Sequence, residues 1–284
     1  MEIIVLLTVL IATVVGSISG IGGGVLIKPV MDAVCTMTSN QISFMSGTTV
    51  LAMTVASLIR SRDELKRIDK RAIMLAIGAA AGGVAGKQLF NIIRDSAANA
   101  AMVSLVQNVI MVLLTGAVFA YTLKKANIRK LDIKSSLFAL LAGCVLGILS
   151  SFLGIGGGPI NLMILSYFFS MDTKTAAFNS LLTIFFSQTL SFISTSITGI
   201  PEISWTLLIL MMAFGVVGAT IGRTLNKKMD NNAVDKLFMC LLVVIILLSC
   251  YNCIKYGLSV IWIIVMLILI GLSSIDYKRI AGKK

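Results

Sequence analysis

Charged residues are so sparse that the chain falls into long uncharged runs: 3–27, 33–59, 96–123, 135–171, 175–201, 203–222, 237–254 and 256–275. Crossing a bilayer takes about 20 consecutive apolar residues, so most of these runs can span one. No polar segment between them exceeds a short loop, which leaves no room for a soluble domain. The pattern predicts helical elements over 3–20, 24–36, 42–60, 72–92 and 98–123. A second set follows over 136–154, 158–171, 175–198, 204–224 and 235–255, and one more segment covers 257–276.

Two of these elements are too short to cross. At 1.5 Å per residue, 24–36 and 158–171 reach roughly 20 Å against a hydrocarbon core of about 30 Å. Each follows a glycine motif. Residues 17–30 read SISGIGGGVLIKPV and residues 151–164 read SFLGIGGGPINLMI, an offset of 134. The same offset pairs Phe44 with Phe178, Ser46 with Ser180, Thr49 with Thr183 and Ser57 with Ser191. Two residues later in register, Gly82, Gly86 and Lys87 match Gly218, Gly222 and Arg223. One unit has been duplicated, and the short elements read as half-helices folded back on the element before them. A tight pair and a re-entrant pair give the same crossing parity. Irregular backbone at membrane depth is tolerated only when buried in protein or lining a watery cavity, so the two bends are expected to meet near the midplane.

Charge then orients the units. Basic residues cluster at Arg60, Arg62, Lys66, Arg67, Lys70 and Arg71, then at Lys124, Lys125, Arg129, Lys130 and Lys134. Further groups are Arg223, Lys227, Lys228 and Lys236, and Lys278, Arg279, Lys283 and Lys284. The positive-inside rule places all four in the cytoplasm. The counterpart of the first cluster is 199–204, which has no basic residue and carries Glu202. Equivalent loops on opposite sides are the mark of inverted repeats. The expected organisation is an all-α polytopic membrane protein: repeat one over 1–130, repeat two over 131–256, and an extra helix with a basic tail over 257–284. The N-terminus lies outside. Lys87, Arg94, Lys174 and Lys255 are scattered single charges with little weight.

Composition agrees: 57% hydrophobic residues, 13% charged and a mean hydropathy of +0.99, where a soluble domain has about 25% charged residues. The first run lacks a basic leader and continues into the glycine motif, so it does not read as a signal peptide. The net charge of +12 comes without aromatic-basic interleaving, which argues against nucleic acid.

The glycines point to anion chemistry. They accept positive φ, let a ligand approach the backbone, and precede helix N-termini whose unpaired N–H groups attract negative charge. Close helix packing is the alternative reading. The candidate substrate-binding residues are Gly20, Gly22, Gly23, Gly24, Gly154, Gly156, Gly157 and Gly158, with Ser46, Thr48, Thr49, Asn161, Asn179, Ser180 and Thr183. Each Ser or Thr could instead bond its own helix. Lys28 is either a counter-charge for the anion or a snorkelling lysine, and Asp32, four residues on, could pair with it. The chain has no histidine, so an obvious proton relay is absent. Its five cysteines have no metal-binding or catalytic company, and neither cofactor nor enzyme chemistry is expected.

The paired glycine motifs, with a Ser/Thr-bearing helix after each, resemble the TauE/SafE family of sulfite and organosulfonate exporters. The resemblance covers essentially the whole chain. It implies a multi-pass protein of the cytoplasmic membrane that moves a small sulfur oxyanion or organic anion. The repeats depart from one another: Pro29 follows the first motif, whereas Met163 stands at the equivalent place in the second, which carries Pro159 instead. An anion channel, an importer of a sulfur source and a non-transporting scaffold remain open on the residues alone.

Overall fold

A computed structural model describes residues 2–65, 68–96, 100–125 and 128–258. Its elements are α1 (Glu2–Ser19), α2 (Gly24–Val34), α3 (Ser39–Arg60), α4 (Arg62–Leu65), α5 (Lys70–Ser96) and α6 (Ala100–Lys124), then α7 (Ser136–Leu153), α8 (Gly158–Tyr167), α9 (Thr173–Thr198), α10 (Trp205–Lys228) and α11 (Asn231–Lys255). Eight of the described helices are long and apolar enough to cross a membrane. The two half-helices are not among them, as their length requires. The segment expected over 257–276 lies almost wholly outside the described residues, as do Lys66, Arg67 and the basic tail.

Local signals start and stop these helices. Thr38 and Gln41 form a capping box at α3, and the side chains of Ser135, Asp172, Ser204 and Asp230 cap α7, α9, α10 and α11. Several long helices begin or end two to four residues outside the expected bounds, because the caps and polar last turns extend beyond the uncharged runs. The half-helices end earlier than expected, at Val34 and Tyr167. The short α4 was not anticipated.

Helix directions follow from which residues meet. Gly218 and Gly222 of α10 approach the carbonyls of Leu10 and Val14, and Asn226 donates to the Ile18 carbonyl, so α10 runs parallel to α1. Gly215 lies by Thr49, and Arg223 donates to Ser61, so α10 also runs parallel to α3. Two parallel helices joined through α2 mean that α2 must turn back. Thus α2 folds back against α1 before α3 begins, as expected for a half-helix. In the same way Gly78, Gly82 and Gly86 of α5 approach the carbonyls of Leu140, Cys144 and Ile148, so α5 runs parallel to α7.

The partners are exchanged between the units: α5 packs on α7 just as α10 packs on α1. The equivalent helices α3 and α9 meet directly. Phe44 stacks on Phe192 with centroids 6.0 Å apart, Gly47 faces Gln188, and Leu58 clusters with Phe178 and Leu182. Rising numbers on one helix meet falling numbers on the other, so the two are antiparallel. The α6–α11 pair is antiparallel as well, with Asn252 donating to Asn108 and Lys125 bound to Asp235.

Basic loops gather on one end of this bundle. Hydrogen bonds link Lys227 to Arg60, Arg71 to Asp132, Leu131 to Tyr167, Lys125 to Thr173 and Asp235, and Lys174 to Met229. At the other end, Gln41 donates to the Glu202 carbonyl. Large apolar side chains such as Ile3, Leu7, Leu137, Leu141, Ile209 and Leu247 stay exposed on the flanks, which is the surface a bilayer covers.

Candidate functional site

The two glycine bends touch each other. Gly24 sits against the Ile155 carbonyl, and its counterpart Gly158 sits against the Ile21 carbonyl so closely that a Cβ would overlap it. Gly22 and Gly156 both face the side chains of Val50 and Ile184, which occupy equivalent places near the middles of α3 and α9. The bends therefore abut at the centre of the bundle, beside the crossing of the two antiparallel helices.

Their backbones differ in detail. Gly20, Gly22, Gly154, Gly156 and Gly157 have positive φ between 67° and 80°, a region that a Cβ disfavours. Gly23 has helical angles, φ −67° and ψ −24°, whereas its counterpart Gly157 is left-handed at φ 73°. Backbone strain on adding a side chain is thus confined to Gly157 of that pair, whereas a Cβ on Gly23 would instead crowd the Thr13 methyl at 2.8 Å. The Gly23 N–H donates to the Met53 sulfur at 3.3 Å. Pro159 in the first turn of α8 suits a helix start, because its missing N–H would be unpaired there anyway.

The side chains divide into satisfied and unsatisfied groups. Thr48, Thr49 and Thr183 donate to the carbonyls of Phe44, Met45 and Asn179, each one turn back on its own helix, at 2.8–2.9 Å. Asn179 Nδ2 donates to Thr175 in the same way. By contrast, among the described residues the hydroxyls of Ser46 and Ser180 and the Oδ1 atoms of Asn161 and Asn179 are buried without a partner. Ser46 and Ser180 are repeat equivalents. Buried polar groups are normally paired, so this set calls for an occupant or for water.

Lys28 does not snorkel: it is 3% exposed and forms an ion pair at 3.1 Å with Asp32, itself 1% exposed. Asn108 donates to Asp32 at 3.5 Å, Lys28 reaches Ser39 at 3.5 Å, and Ser39 donates to Gln107 at 2.6 Å. Gln107 in turn donates to the Phe152 carbonyl at 2.6 Å, just ahead of the second bend. The charge of Lys28 is thereby committed to a polar network behind the bends.

A polar chamber lies on the other side of the second bend, toward the end of the bundle that carries Glu202. It is lined by Ser43, Gly47, Ser151, Gly154, Gln188 and Lys87, with Phe44 and Phe192 among its walls. As a scattered single charge, Lys87 carried little weight in the sequence. The signal was nonetheless present, since Lys87 follows Gly82 and Gly86 as Arg223 follows Gly218 and Gly222. What the sequence could not say is which of those two cations has a carboxylate.

A family model described as sulfite exporter TauE/SafE matches residues 5–249. The chain belongs to the TauE/SafE family. It is also similar to the protein named "Probable membrane transporter protein YunE" of Bacillus subtilis (strain 168), with 24% identity over 264 residues that cover 85% of this chain and 93% of that protein. No solved structure matches the chain. As a TauE/SafE member with eight helices long and apolar enough to cross a membrane among its described residues, the protein is a multi-pass membrane transporter. The TauE/SafE match extends over both glycine motifs and both half-helices.

Proposed function

We propose that this transporter exports a small sulfur-containing oxyanion or organic anion, such as sulfite or a sulfonate, across the cytoplasmic membrane. The observation that carries the reading is the meeting of the two glycine bends, each opening a half-helix, with the unpartnered hydroxyls of Ser46 and Ser180 on the two helices that cross beside them. Half-helix N-termini attract anions, and sites of this kind recur where repeated units meet in secondary transporters. The family description supplies sulfite as the leading substrate.

The antiparallel α3–α9 and α6–α11 pairs support an inverted repeat, because only an axis lying across the helices reverses equivalent elements. The basic end is assigned to the cytoplasm by the positive-inside rule. Alternating access then amounts to rocking of the units about the bends.

Two measurements test this. In proteoliposomes, isotopically labelled sulfite, taurine and sulfoacetate should show flux that Asn161→Ala reduces while expression and insertion hold. Absence of flux for every anion offered would end the reading. In a cysteine-free background, single cysteines at Arg62 and at Glu202 should label from opposite sides, and labelling from one side would remove the inverted repeat.

A further inference from the structure

Three basic residues are almost fully buried among those described: Lys28, Lys87 and Arg223. Taking a charge out of water is costly unless a partner compensates it. Lys28 has Asp32. Arg223 has Glu64, and also reaches Ser61 and Asn226. Lys87, 5% exposed, has the Asn40 amide oxygen at 3.3 Å and the ring of Phe90 at 5.1 Å, and no described carboxylate pairs with it. A neutral oxygen and a ring face do not cancel a full charge.

The chamber beside Lys87 adds donors that have nothing to donate to. Gln188 Nε2 and the hydroxyls of Ser43 and Ser151 are buried there without partners among the described residues. A buried ammonium, an amide N–H₂ and two hydroxyls line one small space with no acid among the described residues there. That combination suits an anion with several acceptor oxygens and repels a cation.

We infer that Lys87 anchors a binding site for a small oxyanion in this chamber, with Gln188, Ser43 and Ser151 as its neutral donors. This rests on the anion-transport reading and adds to it a cation and a location, displaced from the bends toward the Glu202 end. The repeat explains why the site is one-sided. Its counterpart at the basic end is filled by Leu58, Phe178 and Leu182, and there the cation Arg223 is held by Glu64. In the conformation described, the anion site is built on one half only, and the cytoplasmic half is packed shut.

Calorimetric titration of the purified protein in nanodiscs with sulfite and with methanesulfonate tests the site. Lys87→Gln should weaken binding by about tenfold to a hundredfold, the range for a hydrogen bond to a charged group, while Lys87→Arg stays within a few-fold of the parent. Ser151→Ala and Gln188→Met should each weaken it by about two- to tenfold. Parent-like affinity in a folded Lys87→Gln protein overturns the inference. So does unchanged affinity in both Ser151→Ala and Gln188→Met, even if Lys87→Gln fails to fold. Asn161→Ala abolishing binding while Lys87→Gln leaves it intact would move the anion to the bends and overturn this site but not the transport reading. A parent that neither binds nor moves any anion would overturn both.

Discussion

Removing Lys28 should unfold the region behind the glycine bends, because it strands a carboxylate inside the membrane domain. Lys28 and Asp32 lie 3.1 Å apart at 3% and 1% exposure. With an effective dielectric constant near 20, Coulomb's law gives an attraction of about 5 kcal/mol at that separation. Lys28→Met deletes this attraction and leaves the Asp32 carboxylate with only the long bond from Asn108, its Oδ1 already lacking a partner, while Lys255 bonds the Asp32 carbonyl and not the carboxylate. Breaking a buried pair from one side costs about 3–5 kcal/mol, most of it the uncompensated charge. The thermal midpoint in detergent should fall by on the order of 10 °C. Lys28→Met with Asp32→Asn removes the stranded charge, so the double variant should regain most of the loss, and its sulfite flux should recover with it. A Lys28→Met midpoint equal to the parent's would refute the reasoning, as would a double variant no better than the single one. Recovery of stability without recovery of flux would show that Lys28 serves the anion directly.

Other outcomes follow from the same contacts. Gly82→Leu should sharply lower the yield of monodisperse protein on size exclusion, since its Cβ would overlap the Cys144 carbonyl and a backbone cannot yield as a side chain can; parent-like yield would refute the close α5–α7 approach. Gly157→Ala forces a left-handed residue at φ 73°, a cost of about 1–2 kcal/mol, and places a Cβ 2.9 Å from that of Ser150. It should insert but lose flux, and unaltered flux would remove this bend from the pathway. Burial raises the pKa of the Asp69 carboxyl, but the hydrogen bonds from Arg71 outweigh this and hold it below its ordinary value. A depressed carboxylate stabilises the fold above its unfolded pKa and ceases to do so as pH falls through the folded one. Asp69→Asn should therefore lose less stability than the parent between about pH 7 and about pH 3; equal losses would dismiss this tie.

Much of the architecture was legible along the chain because its causes are local. Bilayer thickness converts uncharged runs into crossings, and the same length argument marks 24–36 and 158–171 as half-helices. The duplicated GIGGG located both bends, since few other residues would accept φ near 80° at Gly22 and Gly156. Loop charge anticipated a basic end. What the tertiary structure decided is pairing. Serine and threonine look alike in sequence, yet Thr48, Thr49 and Thr183 bond their own helices while Ser46 and Ser180 have no partner among the described residues. Lys28 carries an acid four residues on, and only the fold draws Ser39, Gln107 and Asn108 around the two. Lys87 and Arg223 are equivalent by repeat, and Glu64 lies 159 residues from Arg223 along the chain. Whether a buried charge is cancelled or left to bind an anion depends on such long-range neighbours, which hydropathy and spacing do not encode.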